Sequence, residues 1–134
     1  MKGPTKISLC FAAGSVGGII SGLILYLCGA LGLMQEYGVK MAPTLCAPWI
    51  YQRVVWGGIF GLLFALPWLE RVSWFLRGAA FSIVPILAQF FIFFPLVTSE
   101  GLFGFKLGDN TPYFVILFNL LWGLITAFWL RLCR

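Results

Sequence analysis

The chain has 134 residues, of which 61% are hydrophobic and only 10% charged, and its mean hydropathy is +1.00. A soluble domain carries about 25% charged residues, so water is excluded as the solvent for most of this polypeptide. The net charge of +5 does not point to nucleic acid, because the basic residues are scattered near the ends of apolar runs and form no patch.

The first apolar run covers 7–33, behind a basic start at Lys2 and Lys6. It is too long for the apolar core of a signal peptide, so a retained membrane helix is expected. At ~1.5 Å per residue it would measure ~40 Å, more than the ~30 Å hydrocarbon core of a bilayer, and should tilt or protrude. The second run covers 49–69, with Arg53 inside its first turns; the third covers 78–97 and the fourth 111–130. Each supplies the ~20 residues that a crossing needs, and no alternating pattern suggests a strand. The expected fold is all-α: one four-transmembrane-helix bundle over residues 1–134, built as two helix hairpins that run out and back.

The connections are short. Residues 35–48 carry Pro43 and Pro48 around Thr44-Leu-Cys-Ala47 and are apolar enough to dip back toward the membrane. Residues 101–112 end in Gly108-Asp-Asn-Thr-Pro112, a turn signal before the fourth helix.

Positive charge favours cytoplasmic loops. Lys2, Lys6, Arg71, Arg77, Arg131 and Arg134 fall on one side of these spans, against Lys40, Arg53 and Lys106 on the other. Both termini are therefore expected in the cytoplasm. Glu36, Glu100 and Asp109 then lie outside and Glu70 inside. Trp49, Tyr51, Trp56, Trp68 and Trp74 sit near the expected interfaces, where indole and phenol rings anchor.

A shift of about 66 residues aligns the two halves without gaps. Gly38-x-Lys40 falls on Gly104-x-Lys106, Trp56-Gly57-x-Ile59 on Trp122-Gly123-x-Ile125, and Ala12-Ala13-Gly14 on Gly78-Ala79-Ala80. This suggests two helix pairs related by an axis along the membrane normal.

Every span carries a stripe of small or polar residues, which in lipid marks the contact faces. Span one has Gly14, Gly18 and Gly22, with Ser21, Gly29 and Gly32 on the same side; span two has Gly57, Gly61 and Ala65. Span three has Gly78, Ser82, Pro85 and Gln89; span four has Asn119, Gly123, Thr126 and Ala127. All four stripes are expected to turn inward. Phe90, Phe91, Phe93 and Phe94 nearly encircle span three, so some must meet lipid or a partner protein.

Four polar residues form a candidate layer in the outer half: Tyr26, Arg53, Gln89 and Asn119. Arg53 reads either as an interfacial anchor that snorkels or as a cation facing the bundle on the stripe of Gly57 and Gly61. Gln89 and Asn119 lie at equal depth, ~12 Å from the outer ends of their helices, and are expected to hydrogen-bond. No Asp, Glu or His lies inside a span, which argues against proton-coupled transport. Ser15, Ser21 and Ser82 have no base beside them, so no catalytic site is expected. Cys10, Cys28, Cys46 and Cys133 include no C-x-x-C pair and His is absent, so no metal or cofactor is expected. A Cys28–Cys46 bridge is conceivable on the outer side, although Cys28 sits in an apolar helix.

Gly78 followed by Phe94-Pro95-Leu96, together with Asn119-x-x-Trp122 and the terminal basic residues, resembles the bacterial inner-membrane proteins of the YagU type over spans two to four. Asn119 stands where that resemblance expects His, and the first region differs. The resemblance implies a bacterial inner-membrane location and no particular mechanism. The expected role is a non-catalytic structural or accessory subunit that self-associates or packs on a larger membrane complex. The alternative is a small oligomeric channel or carrier for a neutral or anionic solute.

Overall fold

The computed structural model describes residues 3–39, 46–92, 108, 110–133. Among them every regular element is helical. Helix α1 spans Gly3–Ala30, the one-turn helix α2 Leu33–Glu36 and helix α3 Ala47–Gly61, which runs on as a 3₁₀ segment, Leu62–Ala65. Helix α4 spans Trp74–Ala88 and helix α5 Thr111–Leu132. A π-turn carries α4 on through Ile92. Three of these helices, Gly3–Ala30, Trp74–Ile92 and Thr111–Leu132, are long and apolar enough to cross a membrane.

The boundaries depart from expectation where the backbone is punctuated. The first helix stops at Ala30 and not at residue 33, because Gly32 adopts the left-handed region (φ 82°), which ends a helix. Gly32 therefore leaves the small-residue stripe of α1. The second helix leaves α geometry at Gly61 and is extended at Leu66 (ψ 145°). Pro67 follows, and the residue before a proline is pushed out of the helical region. The expected span 49–69 thus becomes 15 residues of α-helix, ~22 Å long, plus one 3₁₀ turn. The third helix starts earlier than residue 78, at Trp74. Lys40, Pro43, Thr44, Phe93, Phe94, Pro95, Glu100, Gly104, Lys106 and Asp109 lie outside the described residues.

Helix α1 is the centre of the packing. It lies against α3 on one side and α5 on another, and α4 lies against α5. Helices α3 and α4 touch little, so the order across the molecule is α3, α1, α5, α4, rather than four stripes converging on one axis.

Glycine sets both tight crossings. A methyl added at Gly57 would lie 2.6 Å from the Gly14 carbonyl oxygen, and one at Gly78 would lie 2.6 Å from the Gly123 carbonyl oxygen. Gly61 presses on Gly14 in the same way, with its own added methyl 2.8 Å from the Gly14 Cα. Such close approach of backbones provides the dispersion contact that holds helices together in lipid. Gly17 is a third contact point, which the four-residue spacing of Gly14, Gly18 and Gly22 does not reveal. Its face meets α5, where a methyl would stand 2.6 Å from the Thr126 hydroxyl. Helix α1 thus carries two glycine faces, one for each neighbour.

At one end of the molecule Phe64 is buried between Phe81 of α4 and Trp122 of α5, with ring centroids 4.9 and 6.2 Å away. Lys6 at the start of α1 pairs with Glu70 of the 66–73 turn at 3.5 Å. Glu70 and Arg131, near the end of α5, line one cavity. The start of the first helix and the end of the last therefore lie at the same end. At the other end the Asn110 amide donates to the Tyr37 carbonyl at 2.8 Å, and Tyr37 meets the Phe114 ring edge-on.

Candidate functional site

Arg53 enters the seam between α3 and α1. Its Nε donates to the Gly18 carbonyl at 2.9 Å and an Nη to the Ser21 hydroxyl at 3.0 Å. The absence of a side chain at Gly22 makes room for the arginine stem, because a methyl there would collide with it. Trp49, one helical turn earlier, lies under the guanidinium at 5.6 Å. Beside this, the Ser15 hydroxyl donates to the Val54 carbonyl at 3.0 Å. The charged side chain thus faces the packed interior and joins two helices, which is the inward orientation of the two that the sequence leaves open.

Gln89 and Asn119 meet. The Asn119 amide donates to Gln89 Oε1 at 2.8 Å and to the Val115 carbonyl of its own helix at 2.8 Å. Gln89 stands where α4 changes to π geometry, one turn beyond Pro85, which supplies no N–H to the helix ladder. The helix irregularity and the interhelical amide pair coincide. Tyr26 is half-buried on α1. No hydrogen bond among the described residues joins Tyr26 or Arg53 to the amide pair, so the four residues form two separate contacts and a bystander, not one connected layer.

Two structural residues escape the sequence reading. Trp122 is 4% exposed and its indole N–H donates to the Gly14 carbonyl at 3.0 Å, fastening α5 to α1. Arg77, expected only as a topology signal, is 6% exposed. Its Nε donates to the Trp68 carbonyl, and one Nη donates to the Phe64 and Leu66 carbonyls at 3.0 and 2.8 Å. Those carbonyls are left without helical partners where the 3₁₀ segment ends. The guanidinium also lies over the Phe64 and Phe81 rings, at 5.5 and 5.2 Å.

Cys10 is buried, Cys28 is half-buried, and Cys46 and Cys133 are exposed; none of the four is in a disulfide. No disulfide forms between Cys28 and Cys46. Of the span-three phenylalanines, Phe90 is buried and Phe91 is 48% exposed. Comparison with protein-family models, with curated proteins and with solved structures finds no match.

Proposed function

We propose that this chain is a multi-pass membrane protein of four helices, with both ends in the cytoplasm of a bacterium and in its inner membrane, that serves as a non-catalytic structural or accessory subunit. Three apolar helices support the membrane reading, and α3 with its 3₁₀ extension supplies a fourth, shorter crossing. The charge bias of the loops and the likeness to YagU-type proteins support the location and orientation. The helix pairs α1–α3 and α4–α5 also suit a duplication, since Gly57 and Gly123 occupy matching positions and each meets a glycine of the preceding long helix.

One observation carries the structural role. Three polar contacts inside the helices join one helix to another: Arg53 to Gly18 and Ser21, Gln89 to Asn119, Trp122 to Gly14. Side chains so engaged are ill-placed to exchange partners with a passing solute. The outward faces meanwhile carry large apolar residues, among them Ile83, Leu87 and Phe91, for lipid, a second copy or a larger complex.

Purification in mild detergent after crosslinking in the membrane tests this reading. A self-associated species or a stable partner is expected; a strictly monomeric, partner-free chain would overturn it. The two exposed cysteines test the topology. An impermeant maleimide added to right-side-out cells should label Cys46, and should label Cys133 only after permeabilisation.

The second reading, an oligomeric channel or carrier for a neutral or anionic solute, draws on Arg53, whose charge meets no carboxylate among the described residues. Solute flux into proteoliposomes that is lost in Arg53→Ala would favour it. Flux that is unchanged by that substitution, or absent, removes it.

A further inference from the structure

At the end of the molecule where α1 begins and α5 finishes, a cavity of about 180 Å³ is lined by Glu70, Trp74, Arg77 and Arg131 above a floor that includes Phe64 and Leu130. The geometry points to a phospholipid headgroup site that takes a phosphoethanolamine group, with its phosphate at Arg131 and its ammonium at Glu70. The inference rests on the membrane reading alone and not on the subunit role.

The position is right for a headgroup. The lining comes from the 66–73 turn, the first turn of α4 and the last turn of α5, all of which reach the interface if α4 and α5 cross the bilayer. The volume is well below the ~300–1,000 Å³ of sites that engulf a whole small molecule. It suits the polar end of a lipid, with acyl chains left outside along Phe128, which packs on Trp74 and is 45% exposed.

The chemistry supports a phosphate at the Arg131 end. The guanidinium of Arg131 lies over the Trp74 ring at 6.0 Å and has neither a hydrogen bond nor a carboxylate partner among the described residues. Stacking by one face leaves the fork of N–H donors open, and that fork matches two phosphate oxygens. Arg77 adds a second positive charge in the cavity wall. Helix α4 begins here, and Ser73 provides no side-chain cap, so the positive end of its dipole reinforces the same sign.

Glu70 decides which headgroup. Its carboxylate lines the same cavity and, among the described residues, is held only by a 3.5 Å contact to Lys6, with the two side chains 50% and 34% exposed. It retains acceptor capacity for a second donor. A primary ammonium supplies charge and N–H donors together, glycerol hydroxyls supply no charge, and choline donates nothing.

Native mass spectrometry of the full chain in detergent, with phosphatidylethanolamine, phosphatidylglycerol and phosphatidylcholine of identical acyl chains, tests the proposal. Phosphatidylethanolamine adducts should exceed phosphatidylcholine adducts about fivefold, the weight of one exposed charge-assisted contact that the ammonium makes to Glu70 and choline cannot donate to. Arg131→Ala, at an exposed position, should weaken the adducts of all three lipids about fivefold, because each carries the phosphate that the guanidinium holds. Glu70→Gln should abolish the preference over phosphatidylglycerol and reduce that over phosphatidylcholine, because the ammonium loses its carboxylate. Equal adducts in the parent chain, an Arg131→Ala chain that binds all three lipids as the parent does, a Glu70→Gln chain that keeps the full preference over phosphatidylglycerol, or stronger binding of phosphatidylglycerol than of phosphatidylethanolamine would overturn it. Displacement of the lipid by millimolar inorganic phosphate would assign the site to free phosphate and overturn the lipid. A chain that is monodisperse without detergent would overturn the membrane reading itself before any lipid is added.

Discussion

The Trp122 indole and the Gly14 carbonyl are joined by a buried 3.0 Å hydrogen bond across 108 residues of sequence. The same carbonyl is the atom on which Gly57 of α3 closes. Three helices therefore meet at one backbone oxygen: α1 supplies it, α5 donates to it and α3 packs against it.

Gly14→Ala and Gly57→Ala should both destabilise the chain, by ~1–3 kcal/mol each, as expected when a methyl is forced into a filled contact. Gly3→Ala is the control, since nothing lies within 4 Å of a methyl there. Thermal unfolding in detergent, followed by circular dichroism, should separate the two crossing variants from the control.

Trp122→Phe removes the donor but keeps an aromatic ring beside Phe64. A loss of ~0.6–2 kcal/mol is expected, the range for one interhelical hydrogen bond in a membrane. Combined with Gly57→Ala, the loss should fall short of the sum, because both changes act on the Gly14 oxygen. Strict additivity would separate the two contacts.

Arg77→Lys distinguishes a structural arginine from a topology signal. Lysine keeps the charge but lacks the planar fork that serves three carbonyls. At least one of the Phe64, Leu66 and Trp68 carbonyls should then lose its partner, at a cost of ~1–3 kcal/mol. Labelling at Cys46 and Cys133 should stay unchanged while the unfolding temperature falls. An unchanged unfolding temperature would reduce Arg77 to its charge.

The 66–73 turn that Arg77 holds contains Leu69 at φ 61°, a left-handed conformation that costs a side-chain-bearing residue ~1–2 kcal/mol. Leu69→Gly should therefore be neutral or stabilising, although Leu69 is apolar and near a membrane surface. A fall in unfolding temperature would show that the leucine side chain outweighs the backbone strain.

Gln89→Leu, Asn119→Leu and the double variant form a cycle for the amide pair. A coupling of ~0.6–2 kcal/mol is expected. A coupling near zero would mean that the Asn119 bond to its own Val115 carbonyl carries the whole effect.

The apolar composition and the length of the runs determined that the chain is helical and that its helices are apolar enough to cross a membrane. No other local structure satisfies every backbone group of a lipid-embedded segment from within the segment. The small-residue spacing also identified Gly14, Gly57, Gly78 and Gly123, because only a residue without a side chain lets two backbones approach this closely. Equal depth along two helices was enough to pair Gln89 with Asn119. Tertiary structure alone decided the rest. It turned Arg53 inward onto Gly18, buried Arg77 under the 3₁₀ segment, chose Gly17 as the second face of α1, and set α1 between α3 and α5. Those outcomes depend on which helix lies beside which, and each span exposes more than one face that periodicity ranks alike. A stripe of glycines says that something comes close; only the packed neighbours say what.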